Sequence, residues 1–478
     1  MAHIIFRRLQ FVMGTMALAI LAVPQLPAAG AQPKPNLLFI LTDQQHANML
    51  SCAGNPWLKT PAMDSLAANG IRFQRAYSVN PVCVPARVGM FTGHTPSRFG
   101  MQSNKEMQET KIPAPIQAQT MGCLLRDAGY ETAYGGKTHL PGNVEKYGFT
   151  VLTRDQRDEL ATTCADFLKK KHDKPFLLVA SLINPHDICY MAINAFAASQ
   201  ARKKTGPAGP HQQCLAEALQ KPAGISEEEF FSRLCPPAPA NLEPQLGAPE
   251  AIGDASYLGF RGYAFTNWTE KDWRLHRWAY ARLTERVDRE IEVILQALRS
   301  TGLETNTAVI FTSDHGDHDG SHRLEHKSTF YEEAANVPFI ISQKGVTRAN
   351  VVDREHLIAA HLDLIPTLCD YAGVAAPDGL KGRSLRALAE NGSVKEWRPY
   401  VVSETHFGRM VCSGRYKYCV YDRGEHREQL VDLQQDPGEM KNLAGQPEFQ
   451  AVLTQHRKYL QEWVVSNQDS LAAPYLVK

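Results

Sequence analysis

Three short apolar runs, each followed at once by polar residues, constrain the fold of this chain most strongly. They span residues 36–41, 176–183 and 308–311. Runs this rich in apolar residues are typical of strands that are buried on both faces of a sheet. Helix-start signals at Thr60 and Thr269 lie between the runs. The alternation predicts an α/β fold with a large, mostly parallel sheet flanked by helices.

The polar residues after these runs form a first candidate site. Asp43 follows the first run, His186 follows the second, and Asp314 with His315 follows the third. In α/β proteins, ligands bind at the carboxyl ends of the parallel strands. We therefore expect four side chains from distant parts of the sequence to meet at one edge of the sheet.

The chain is long enough for more than one domain. Its 478 residues suffice for a large core and a small second domain. We predict a main domain over residues 36–392 and a small C-terminal antiparallel-sheet subdomain over residues 393–478. Residues 192–265 are rich in Pro and Gly and weakly periodic, which indicates an insertion. The insertion either runs near the mouth of a pocket or is a decoration without a role, and the sequence favours neither.

The N-terminus has the features of an export signal. Arg7 and Arg8 precede an apolar stretch over residues 11–23, and small residues follow at 29–31. This order predicts a signal peptide over residues 1–31 and a protein that is exported, either periplasmic or secreted. The apolar stretch is too short for a stable membrane span, and an uncleaved anchor is the alternative.

Charge and cysteine content limit the partners and cross-links. The formal net charge of +1 gives no global field that would attract nucleic acid, so we expect none as a partner. Ten cysteines in an exported protein favour disulfides. The spacing of Cys412 and Cys419 fits a pair across a hairpin, although the sequence alone does not establish it.

The segment Cys83-Val84-Pro85-Ala86-Arg87 concentrates the chemistry. Pro85 fits the first turn of a helix, which places Cys83 at a helix N-terminus, where negative charge is stabilised. Arg87 adds a permanent positive charge nearby, and such surroundings activate a thiolate. The segment resembles the signature of the type I, formylglycine-dependent sulfatases of the alkaline phosphatase superfamily. The resemblance implies that fold, and a maturation enzyme that oxidises Cys83 to formylglycine.

The resemblance also implies a metal site. Asp43 and Gln44, together with Asp314 and His315, stand where the family holds a divalent cation, with the modified Cys83 as a further ligand. Carboxylate and amide oxygens suit Ca²⁺. Because histidine is a better ligand for Mn²⁺ or Zn²⁺, Mn²⁺ is the alternative.

Four further side chains complete the site that the resemblance implies. Lys137 and Lys327 would bind the sulfate oxygens, and His186 would protonate the departing alcohol. His139 would remove a proton from the hydrated formylglycine, which is the nucleophile, and Arg87 belongs to the same catalytic group. Together they supply positive charge and a proton donor, which cleavage of a sulfate ester needs.

The expected function is therefore hydrolysis of sulfate esters, and export favours sulfated glycans as substrates. The main alternative is a phosphonate monoester hydrolase or phosphodiesterase of the same superfamily, since Gln44 and His315 also resemble that branch. Lys137 with His139 favours the sulfatase branch. A non-catalytic protein that binds sulfated glycans is a second alternative, but it would not retain Cys83, Asp43 and His139 together.

Overall fold

An eight-stranded sheet occupies the centre of the protein. The computed structural model describes residues 34–200, 209–256 and 259–477. The strands are β1 (Asn36–Asp43), β2 (Gly70–Phe73), β3 (Ala76–Tyr77), β4 (Glu131–Gly136), β5 (Thr150–Thr153), β6 (Phe176–Pro185), β7 (Thr307–Ser313), β8 (Phe339–Ser342), β9 (Val351–Asp353), β10 (Ile358–Ala359), β11 (Tyr400–Glu404), β12 (Gly408–Ser413), β13 (Tyr416–Tyr421) and β14 (Glu428–Asp432). The order in the central sheet is β5-β4-β6-β1-β7-β8-β2-β9. Only β8 runs antiparallel to both of its neighbours among these strands, so the prediction of a mostly parallel sheet is confirmed.

Helices cover both faces of this sheet. They are α1 (Pro61–Ala68), α2 (Cys83–Thr92), α3 (Ala114–Gln117), α4 (Met121–Asp127), α5 (Leu160–Lys169), α6 (Tyr190–Ser199), α7 (Pro210–Ala218), α8 (Glu227–Glu229), α9 (Glu250–Ser256), α10 (Gly259–Asn267), α11 (Glu270–Ser300), α12 (Glu332–Ala335), α13 (Leu364–Tyr371), α14 (Arg386–Glu390) and α15 (Gln450–Asn467). Helices α2, α4 and α13 pack on one face, and α1, α5 and α11 pack on the other. The protein therefore has the three-layer α/β architecture that the alternating pattern predicts.

Strand β1 shows why the apolar runs form central strands. Leu37 and Phe39 enter the core on one face of the sheet, whereas Leu38 and Ile40 enter the core on the opposite face. Burying each such side chain contributes about 1.5–3 kcal/mol. A strand with apolar residues on both sides is therefore stabilised most at the centre of the sheet, where helices cover both faces.

The register of the strands brings the predicted polar residues together. Thr42 of β1 lies opposite Ser313 of β7, so Asp43 and Asp314 are adjacent where the two strands end. On the other side of β1, β6 pairs with β4, and Gly136 lies opposite Ser181. All four strands are parallel, and their carboxyl ends share one edge of the sheet.

A four-stranded antiparallel sheet, β11-β12-β13-β14, follows the main sheet in the sequence. This confirms the predicted C-terminal antiparallel sheet, and α15 packs against it. The division at residue 392 stays a prediction, because Lys34–Lys478 form one compact unit.

The disulfide expectation is wrong for the described chain. All ten cysteines are free thiols. The register of the hairpin places Cys412 opposite Lys417 and Cys419 opposite Met410. Because a disulfide needs facing Cβ atoms about 3.5–4.5 Å apart, this register prevents the Cys412–Cys419 pair.

The predicted insertion, residues 192–265, contains short helices from α6 to α10. Its helices start at ordinary signals, such as Pro210 in the first turn of α7. The ring of Phe260 packs edge-on against His326, with 5.6 Å between ring centroids.

The predicted signal peptide lies outside the described residues. Among the described residues, no helix has both the length and the apolarity that a membrane crossing requires.

Candidate active site

Cys83 begins helix α2, as its sequence predicts. Val82 before it has extended backbone, and the helix runs on to Thr92. The side chain of Cys83 is almost fully buried, with 1% exposed. Its Sγ atom therefore lies at a helix N-terminus inside the protein, at the edge of the sheet where β1 and β7 end.

Arg87, one turn further along α2, joins two carboxylates. Its Nη2 atom donates to Oδ2 of Asp43 at 3.0 Å, and its Nε atom donates to Oδ2 of Asp314 at 2.9 Å. Nη1 donates to the carbonyl of Lys137 and to Ser181. The guanidinium is fully buried and lies behind the carboxylates. Arg87 therefore bridges the two carboxylates, and the catalytic role that the sequence suggested for it stays a prediction.

The other oxygens of the two aspartates face His315 and Cys83. Nε2 of His315 lies 3.5 Å from Oδ1 of Asp314 and 3.9 Å from Oδ1 of Asp43. It also lies 3.2 Å from Sγ of Cys83. The ligand atoms of these four residues lie within 4.8 Å of one another, which makes the cluster a candidate metal site.

The ring of His315 is oriented for metal binding. Its Nδ1 atom lies 2.8 Å from the carbonyl oxygen of Gly316. A carbonyl only accepts, so Nδ1 carries a hydrogen, and in the neutral form of the ring the Nε2 lone pair faces the cluster. A backbone carbonyl that fixes the tautomer in this way is a common support for metal-binding histidines.

The side chain of Gln44 is held at both ends. Its Nε2 atom donates to Oδ2 of Asp317 at 2.7 Å, and its Oε1 atom accepts from Nζ of Lys327 at 3.1 Å. Gln44 has a positive φ of 68°, a backbone conformation that few residues adopt unless the surroundings hold it. The amide oxygen is therefore directed toward Lys327.

Two buried lysines add positive charge to the cluster. Nζ of Lys137 lies 2.6 Å from Oδ2 of Asp43, and Nζ of Lys327 lies 2.8 Å from Sγ of Cys83. Burial opposes ionisation of the Cys83 thiol, but Lys137 and Lys327 outweigh it and hold the thiol pKa well below its usual range. The side chain at position 83 therefore lies where an anion is stabilised.

The two aspartates have different protonation behaviour. Burial opposes ionisation of Asp43, but Lys137 and the neighbouring positive groups hold its pKa well below its usual range. Burial and the charge of Asp43 raise the pKa of Asp314 to about 7. Two buried carboxylates this close repel each other, and a bound cation relieves such repulsion.

The two predicted histidines lie at the ends of β6 and β4. His186 follows β6 directly, and burial together with Lys137 lowers its pKa to about 4. Contact with Cys83 acts in the opposite direction on this pKa. His139 lies two residues after Lys137, and its buried Nδ1 atom has no hydrogen-bond partner. Its role as a base stays a prediction.

Sequence reasoning missed two supporting residues. Ser181 accepts a hydrogen bond from Arg87 and donates to the carbonyl of Lys137, each at 2.8 Å. A polar residue within the apolar run 176–183 was the available signal. Asp317 holds Gln44, and its signal was a further acidic residue three positions after Asp314.

The edge of the sheet thus gathers a buried thiol, two carboxylates and two lysines, a set that fits the binding of a cation and of an anionic group. A model of the sulfatase family matches residues 35–374, and a model described as N-sulphoglucosamine sulphohydrolase, C-terminal, matches residues 320–466. The chain therefore belongs to the sulfatase family, within the alkaline phosphatase superfamily, and is a sulfuric ester hydrolase.

Individual relatives agree with this assignment. The chain is 31% identical to a Delta 4,5-hexuronate-2-O-sulfatase of Bacteroides thetaiotaomicron over 92% of its own length and 91% of that protein. A solved 2-O GAG sulfatase is 28% identical, with a TM-score of 0.79 over 92% of this chain and 94% of the other. A phosphonate monoester hydrolase of Agrobacterium radiobacter shares the fold at a TM-score of 0.71, with 20% identity and coverage of 91% and 96%.

Proposed function

We propose that the chain hydrolyses sulfate esters of a glycan, with formylglycine derived from Cys83 as the nucleophile and a divalent cation beside it. The observation that carries the proposal is the cluster of Asp43, Cys83, Asp314 and His315. Cys83 is the one of these four that a maturation enzyme would convert, and it stands at the start of a buried helix. Hydration of the aldehyde would give a gem-diol. One of its hydroxyls would be the nucleophile, and the other would allow sulfate to be released later.

The residues present fit a divalent cation. Arg87 engages Oδ2 of both aspartates, so their Oδ1 atoms face the cluster together with Nε2 of His315. Oε1 of Gln44 would add a fourth protein ligand. Two carboxylates and an amide oxygen favour Ca²⁺, whereas the imidazole of His315 makes Mn²⁺ the alternative. The cation would act as a Lewis acid at this edge of the sheet.

The chain's own side chains would perform the remaining steps. Lys137 and Lys327 would hold the sulfate oxygens, because both ammonium groups are buried at the cluster. Their contacts are with Asp43 and Cys83 of the cluster rather than with acidic residues at the surface. His186 would give a proton to the departing alcohol. Although its pKa is low without substrate, a bound sulfate anion favours the protonated ring. His139, with its unpartnered Nδ1 atom, would take a proton from the second hydroxyl.

The relatives support a saccharide substrate. Both the hexuronate-2-O-sulfatase and the GAG sulfatase are named for action on sulfated sugars. We propose the same substrate class for this chain, together with export to the periplasm or the medium after removal of residues 1–31. Export would give the enzyme access to polymers outside the cell.

The test compares three ester classes on one preparation, made together with a formylglycine-generating maturation enzyme. An aryl sulfate, the matching aryl phosphate and an aryl phosphonate monoester are measured under the same conditions. A sulfate monoester carries one negative charge, and a phosphate monoester carries close to two. We expect the highest kcat/KM for the sulfate. A preference for the phosphonate would establish the alternative function.

A further inference from the structure

Asp317 is fully buried and accepts three hydrogen bonds. Its Oδ2 atom accepts from Nε2 of Gln44 at 2.7 Å and from the backbone N–H of His326 at 3.1 Å. Its Oδ1 atom accepts from the backbone N–H of Asp319 at 2.8 Å. A carboxylate has only acceptors, so all three donors must point toward Asp317.

The bond to Gln44 decides which end of that amide faces the cluster. The two ends of a glutamine amide have almost the same shape, but one donates and the other accepts. Because Asp317 takes the Nε2 end, the Oε1 end must face Lys327, from which it accepts at 3.1 Å. A flipped amide would direct a donor at the Lys327 ammonium and at any cation in the cluster.

The hydrogen bond from the backbone N–H of His326 to Asp317 helps to fix the backbone next to Lys327. His326 has a positive φ of 73°, and Ser328, on the other side of Lys327, has a positive φ of 91°. Such residues keep this backbone only where the surroundings hold it. The Asp317 carboxylate holds the N–H of His326, directly before the lysine whose ammonium contacts Cys83.

We propose that Asp317 is a positioning residue that sets both the cation-facing oxygen of Gln44 and the placement of Lys327. The inference rests on the proposed function, in which Gln44 binds the cation and Lys327 binds sulfate. It assigns a function to a residue that contacts neither ligand. Loss of such a supporting partner typically weakens metal affinity or activity about 10–100-fold.

The variant Asp317→Asn tests the inference with almost no change of shape. An asparagine must direct its –NH₂ group either at the N–H of Asp319 or at Gln44 and the N–H of His326. In the first orientation two donors face each other at Asp319, and in the second the Gln44 amide is driven to flip. Asp319→Asn is the matched control. Asp319 is also a buried acid of this segment, but its side chain pairs with Arg277 rather than with Gln44.

The measurement is the Ca²⁺-dependent rise in the melting temperature of the full-length chain after chelator treatment. We expect the Ca²⁺ dissociation constant of Asp317→Asn to rise about 10–100-fold, while Asp319→Asn stays near the wild type. In matured enzyme, excess Ca²⁺ should recover part of the kcat of Asp317→Asn, which mere structural damage would not allow.

Two further variants protect the test against a folding defect. Gln44→Met, which leaves Asp317 in place, should lose Ca²⁺ affinity to a similar degree. Gln44→Glu combined with Asp317→Asn should regain part of it, because the new amide donates to the new carboxylate. Wild-type Ca²⁺ affinity in Asp317→Asn or in Gln44→Met overturns the inference, as does an equal loss in Asp319→Asn. If Ca²⁺ does not raise the melting temperature of the wild-type chain, the proposed function is wrong about the cation, and this inference fails with it.

Discussion

The ammonium nitrogen of Lys327 lies 2.8 Å from Sγ of Cys83 and also contacts Oε1 of Gln44. One positive charge thus touches both the proposed nucleophile position and a proposed cation ligand. Lys327 is 3% exposed, so water screens this charge weakly. Together with Lys137, this contact holds the pKa of the Cys83 thiol well below its usual range in spite of its burial.

The Lys327 contact predicts a large loss of activity in Lys327→Ala. Removing a buried charge that stabilises the transition state lowers kcat by roughly 10²–10³. The kcat/KM for an aryl sulfate measures this loss. Lys271→Ala is the control, because Lys271 is exposed and pairs with Glu227 at the surface. Near-normal turnover in Lys327→Ala would show that sulfate binds elsewhere.

Arg87 should contribute mainly to stability. Arg87→Met leaves Asp43 and Asp314 buried without their shared partner, which costs about 3–5 kcal/mol in the free energy of unfolding. Urea denaturation in the presence of chelator measures this change, and added Ca²⁺ should recover part of it. Arg415→Met, which removes an exposed arginine from Asp432, should change stability far less. Equal changes in the two variants would contradict the bridging role of Arg87.

The positions of Asp43, Asp314 and His186 at strand ends were predictable, because apolar runs and the polar residues after them are local signals. The helix start at Cys83 was predictable from Pro85 for the same reason. The bridge formed by Arg87 was not, since it depends on side-chain geometry across the sheet.

Other features also could not be predicted from the sequence, because they depend on pairing between distant residues. The antiparallel direction of β8 is set by its neighbours β7 and β2 rather than by its own residues. The free thiols of Cys412 and Cys419 follow from a hairpin register that the spacing of the two cysteines did not reveal. The orientation of Gln44 depends on Asp317, 273 positions away.

Arg261, in α10 of the insertion, should select acidic substrates. Arg261 is partly buried near Glu325, its guanidinium lies over the ring of Phe260, and among the described residues no hydrogen bond or ion pair engages it. The neighbouring Phe260 contacts His326, the residue before Lys327. Such a charge favours a substrate carboxylate. Arg261→Ala should therefore raise KM about tenfold for a sulfated uronate-containing saccharide, with little change for a neutral aryl sulfate.

The control for this selectivity is Arg423→Ala, since Arg423 is an exposed arginine that already pairs with Asp422. It should leave both KM values near those of the wild type. If Arg261→Ala changes the KM for both substrates equally, the insertion has no part in selectivity and is a decoration without a role.

Glu404 should make stability depend on pH. Burial raises the pKa of Glu404 to about 7, although Arg409 opposes the shift. Between the unfolded pKa of about 4.3 and the folded value, only the folded state holds the proton, so stability falls as pH rises through this window, by at most about 4 kcal/mol.

Glu404→Gln removes this titration and keeps an oxygen that can accept from the N–H of Ser97. Urea unfolding at pH 5 and pH 8 should show a smaller loss of stability for this variant than for the wild type. Glu396→Gln, at an exposed site, is the control. A pH slope unchanged by Glu404→Gln would place the titrating group elsewhere.

The mass of the peptide that contains Cys83, taken from active enzyme, tests the central claim most directly. Protein made together with a maturation enzyme should carry formylglycine at position 83 and hydrolyse sulfate esters. Protein with unmodified Cys83 should fold with the same melting temperature and be inactive, as should Cys83→Ala. Fully active protein in which this peptide contains only unmodified cysteine would contradict the account.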